Sequence, residues 1–116
     1  MKTALLLAST IVGTVAMSSP LLDSLAMQLR QLRALPMAAP SKTMCPAKIE
    51  SLVGLGQERI GDALGKPDFI DASTGKWVYF FTSPIPPGQR GGGFPELVFI
   101  FGSDRAVLRV SCHYSR

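Results

Sequence analysis

The chain has 116 residues, 47% hydrophobic and 8% aromatic, with twelve Lys and Arg against eight Asp and Glu for a formal net charge of +4. That length holds one domain, and a small one if a leader and a tail are subtracted. From Cys45 onward eight basic residues face seven acidic ones, so the folded part lacks the concentrated Lys and Arg of a nucleic-acid binder, and no nucleic-acid partner is expected.

Lys2 precedes an apolar run that is closed by Pro20, with the small-residue stretch Thr14-Val15-Ala16 near its end. A basic start, an apolar stretch and a Thr-x-Ala site predict a secretory leader over residues 1–16, cleaved after Ala16. The competing reading is a retained anchor, since no charge appears until Asp23. Either way the domain is exported, to the periplasm or the periplasmic face of the outer membrane.

Residues 17–44 read as an amphipathic helix followed by a Pro/Ser linker. Leu22, Leu25, Leu29 and Leu32 recur at helical spacing within residues 21–35, and Pro36 ends the pattern. The apolar stripe has three readings. It is a peripheral membrane or partner contact, with Arg30 and Arg33 near acidic headgroups, a helix packed on its own domain, or part of a longer leader. Pro36, Pro40 and Ser41 mark the linker.

Residues 45–116 form the expected domain. An exported chain with two cysteines, Cys45 opening the domain and Cys112 near its end, invites one disulfide, with two buried thiols as the alternative. Pro46 suits a first helical turn in which Ile49, Leu52 and Val53 share a face before Gly54 and Gly56 stop it. Residues 57–64 read as a second helix, with Ile60, Ala63 and Leu64 on one face and Gly65 and Pro67 at its end.

Strand patterns follow. Residues 68–71 suit a short edge strand. Residues 77–81 and 97–101 are apolar on both faces, as central strands are. In the last strand, alternation places Leu108, Val110 and Cys112 on one face and Val107, Arg109 and Ser111 on the other. Two short helices packed on a three- to four-stranded antiparallel sheet give an α+β fold. Hydrophobicity on both sheet faces asks for a cover on the second one: the amphipathic helix, a protein partner or a second copy of the chain.

The pattern of Gly54, Leu55, Ile60, Leu64, Gly65 and Pro67, leading into Trp77-Val78-Tyr79-Phe80-Phe81 and two further strands, resembles the SmpA/OmlA family, the BamE-like accessory proteins of outer-membrane assembly. The resemblance implies a non-catalytic envelope domain that serves as an accessory or scaffold for the β-barrel assembly machinery. Gly56 replaces the hydroxyl cap of that family. Its lipidation cysteine is missing as well, because Ser41-Lys42-Thr43-Met44 before Cys45 is not a lipidation approach.

The loop over residues 83–95 is too long for a hairpin turn and mixes Pro with a triple Gly that no Lys-Ser/Thr follows, so it is not a phosphate cradle. Partner contact through Ile85, Arg90 and Phe94 is one reading and a solvated loop the other. Trp77 and Tyr79 complete the candidate partner surface. His113 is the sole histidine and no cluster has metal-ligand spacing. No enzyme activity, metal or cofactor is expected. Asp68 and Asp71 read as turn and edge residues. Two other functions fit the same residues: a periplasmic inhibitor-type module resembling the β-lactamase-inhibitor proteins, and an inner-membrane-anchored structural protein.

Overall fold

The computed structural model describes residues 19–88 and 92–115, so the expected leader and Arg90 lie outside the described residues. Ser19 opens the first helix, α1 (Pro20–Arg33), by accepting the Leu22 N–H on its hydroxyl, and Pro20 fills the first turn, where its missing donor is no loss. Asp23 near the start and Arg30 and Arg33 near the end match the helix dipole. Leu22, Leu25, Leu29 and Leu32 are all buried. Each contributes about 2 kcal/mol by leaving water.

Those leucines belong to the core of the fold. They share one core with Leu52, Ile60, Leu64, Tyr79, Phe81, Leu97, Phe99, Phe101 and Val107. The segment read as preceding the domain is thus part of its core, and its apolar stripe faces the sheet rather than a membrane surface. No helix among the described residues is long and apolar enough to cross a membrane.

The helix expected after Pro46 is a single 3-10 turn, Ile49–Leu52, that starts from Lys48 in a left-handed conformation. Leu52 is buried but Val53 is exposed, so the expected three-residue face does not form. Gly54 and Leu55 leave the helical path to pair with Val107, and Gly56 bridges Ala106. The second helix, α2 (Gln57–Leu64), forms as read from the sequence, with Ile60 and Leu64 buried. It ends at Gly65, whose φ of 81° favours glycine. α1 and α2 together cover one face of the sheet.

The sheet has four antiparallel strands in the order β1 (Phe69–Asp71), β2 (Lys76–Phe80), β3 (Pro95–Phe101), β4 (Val107–Tyr114). Its register puts Trp77, Tyr79, Leu97, Phe99, Val110 and Cys112 toward the helices. Phe69, Val78, Val98 and Ser111 lie in one row of the opposite face, with Lys76, Ile100 and Arg109 in the next. The β1–β2 turn needs Gly75, because a Cβ there would meet the Phe101 carbonyl oxygen at 2.9 Å and φ is 69°.

Strict alternation along β4 fails at one point. Ile100 pairs with Arg109 but Phe101 pairs with Val107, so Leu108 is an extra residue in a bulge. Val107 therefore joins the core side at 2% exposure and Leu108 turns out to 66%. The expectation that put Leu108 inward and Val107 outward is corrected by this one inserted residue. Beyond the bulge Cys112 keeps its inward side and is disulfide-bonded to Cys45 across a Cα separation of 5.7 Å.

Candidate partner-binding surface

The edge strand β1 follows Pro67 and Asp68, and Asp68 fastens that edge to the rest of the fold. Its carboxylate accepts the Phe80 N–H at 2.7 Å and the Arg33 guanidinium at 2.5 Å, while Arg33 also donates to the Phe80 carbonyl oxygen. The end of α1 is thereby tied to the end of β2. Three residues later Asp71 closes the β1–β2 turn. Its carboxyl is held below the ordinary value, first by the Ser73 hydroxyl and then by the Ser73 N–H. Both carboxylates have structural work, as their turn and edge positions imply.

β1 is an edge strand, and its Phe69 lies on the face opposite the helices. Phe69 is 50% exposed and Ile70 48%. Phe69 opens into a groove of about 330 Å³ walled by Phe80, Ile85, Pro86 and Pro87, with Asp68 at one end. The prolines stiffen that wall by fixing their own φ angles. On the inner side Phe94 packs against Phe80, with ring centroids 5.5 Å apart. Ser115 holds the loop there: its hydroxyl accepts from Gly93 and Phe94 N–H, and its own N–H donates to the Phe94 carbonyl.

The residues proposed from sequence separate into two groups. Ile85 lines the groove and is half-buried. Phe94 is buried and acts as support for Phe80. Tyr79 is 0% exposed beneath the helices and donates its hydroxyl hydrogen to the Gly65 carbonyl, so it is corrected from a contact residue to a core residue. Trp77 is half-buried between Gly61 and Phe101, with a ring-to-ring distance of 5.0 Å to the latter. Both side chains point to the face that the helices occupy. Arg90 lies outside the described residues.

The face without a helix carries what sequence reasoning passed over. Val78 is buried, and Phe80, Val98 and Ile100 are half-buried, between Lys76 and Arg109 on one side and the Glu96–His113 pair at 3.1 Å on the other. The residues alternating with Trp77 and Tyr79 form the helix-free side. Of the family-pattern residues, Ile60 and Leu64 are core, Gly54 and Gly65 take positive φ, and Leu55 and Pro67 are half-buried. Among the described residues no group of three or more His, Cys, Asp or Glu is placed to hold a metal ion. No protein-family model matches the chain, and no curated protein matches its sequence.

Proposed function

We propose that this chain is a non-catalytic protein-binding domain of the cell envelope, with an accessory or scaffold role similar to that of outer-membrane protein assembly factors. The observation that carries the reading is the half-exposed Phe69 at the mouth of the apolar groove, continuous with the helix-free sheet face. A large aromatic on an edge strand is a liability unless something covers it. The Cys45–Cys112 disulfide fits an oxidising, exported compartment, and the periplasmic side of the outer membrane is the location proposed.

The test is capture. An affinity-tagged copy, lightly crosslinked in intact cells, is expected to recover components of the β-barrel assembly machinery, and Phe69→Glu is expected to abolish that recovery without unfolding the domain. Recovery of a single periplasmic enzyme in their place would replace this reading with the inhibitor-type one. Recovery that is unchanged by Phe69→Glu would move the contact to another surface.

A further inference from the structure

Between α1 and the 3-10 turn the chain runs as an extended strap along the end of the sheet. Its side chains alternate like those of a strand: Ser41, Thr43 and Cys45 are half-buried, while Lys42 and Met44 are exposed. The inward side chains are anchored. The Thr43 hydroxyl donates to the Phe81 carbonyl oxygen at 2.9 Å, Cys45 is bonded to Cys112, and the Cys45 N–H donates to the Tyr114 hydroxyl. Upstream, Ala38 N–H donates to the Pro84 carbonyl and Ser83 donates to the Ala39 carbonyl. The strap is therefore anchored at both ends and at its middle, and the alternating burial is that of an extended segment.

Between these anchors the main chain of residues 41–44 is unpaired within the described structure. Among the described residues, no hydrogen bond uses the main-chain N–H or C=O of Ser41, Lys42, Thr43 or Met44. A row of unpaired main-chain groups on a pre-extended segment is what an added strand requires. The strap also forms one wall of a groove of about 1080 Å³ whose other side carries Ile85, Pro86 and Phe94. Lys42 is the one charged side chain among the described residues that line it, and no carboxylate does so.

We infer that residues 41–44 are a strand-addition site for an extended, neutral-to-acidic peptide segment of a protein partner. Main-chain hydrogen bonds to the strap supply the affinity, Lys42 selects against basic segments, and Ile85 takes an apolar side chain. The inference rests on the protein-binding reading above and adds to it the chemistry and register of what is bound.

The probe is a blocked synthetic peptide that alternates Thr and Val and carries Glu at both ends, titrated into the oxidised, isotopically labelled full chain. Amide exchange within residues 41–44 is expected to slow about tenfold at alternate positions. A peptide with Lys in place of Glu is expected to bind several-fold more weakly, and Lys42→Glu to reverse that order. Met44→Pro, which removes a donor, should abolish binding that Met44→Ala retains. Should Met44→Pro not fold, an N-methylated acidic peptide, stripped of its own donors, supplies the same comparison and must fail to bind. Absence of slowed exchange at the strap, or equal binding by the N-methylated peptide, overturns the inference. A failed titration leaves crosslinked capture through Phe69 untouched, whereas lost capture with an intact titration removes only the assembly reading.

Discussion

Tyr79 donates its phenolic hydrogen to the carbonyl oxygen of Gly65 at 2.7 Å, joining the central strand β2 to the residue that caps the end of α2. A buried hydroxyl needs such a partner, and a helix terminus has carbonyls to offer. Tyr79→Phe keeps the ring and leaves the carbonyl unpaired, so stability is expected to fall by about 1–2 kcal/mol, read as a shift of the urea midpoint at constant m-value. Burial pushes the Tyr79 hydroxyl well above its ordinary value of 10.0; the Asp68 charge adds to the rise and Arg33 opposes it. A raised value means that stability is complete below pH 10.0 and declines as pH climbs beyond it, because the unfolded chain ionises first. The Phe variant should lose that part of the alkaline decline.

The Cys45–Cys112 bridge spans 67 residues of sequence, most of the folded chain. Closing a loop of that length restricts the unfolded state by about 4 kcal/mol in the chain-entropy account. For a fold this small that is a large share of the total. Urea melts with and without a dithiol reductant, compared with the double Cys45→Ser, Cys112→Ser variant, should differ by that order. Melting points that coincide would show that the core holds without the bridge.

How much of this was legible follows from where each signal is local. α2 announces itself through Ile60, Leu64 and the Gly65–Pro67 ending. The strands do so through the aromatic runs of β2 and β3. α1 was equally visible in its leucines, but whether they face lipid or a sheet depends on tertiary contacts that no periodicity encodes. Choosing which face of β2 is free was beyond the sequence for the same reason, since Tyr79 and Phe80 have comparable hydrophobicity and opposite fates. The turn at Ile49–Leu52 carried a helical pattern too short to outweigh pairing of Gly54 and Leu55 with β4.

The bulge in β4 gives a direct comparison between neighbours. Val107 is buried in the core, so Val107→Ala is expected to cost about 2 kcal/mol. Leu108, exposed at the inserted position, should tolerate Ser within about 0.5 kcal/mol. Thermal melts of the two variants side by side decide the register. A larger loss for Leu108→Ser would restore uninterrupted alternation.

Arg33 and Asp68 make a partly exposed ion pair with side-chain exposures of 37% and 20%, so its charge component is modest. Asp68→Asn preserves an acceptor for the Phe80 N–H and should cost about 0.5–1 kcal/mol, a difference that 1 M salt compresses. Asp68→Ala removes the acceptor as well. Its expected cost is about 2 kcal/mol and changes little with salt. Chemical denaturation in urea at low and high salt separates the two terms.

The groove at the β1 edge predicts a separation of binding from folding. Phe69 and Ile85 both line it, and neither belongs to the core cluster beneath the helices. Half of the Phe69 ring already faces water, so a Glu there forfeits little burial. Phe69→Glu should therefore shift the melting temperature only slightly, and Ile85→Glu somewhat more because Ile85 is half-buried, yet both place a charge where an apolar partner surface must seat. Leu108→Glu is the control, exposed on β4 at the opposite edge of the sheet. Crosslinked recovery of the partner should drop for the first two and persist for the third. Equal loss in all three would point to general damage, and equal persistence would take the contact away from β1.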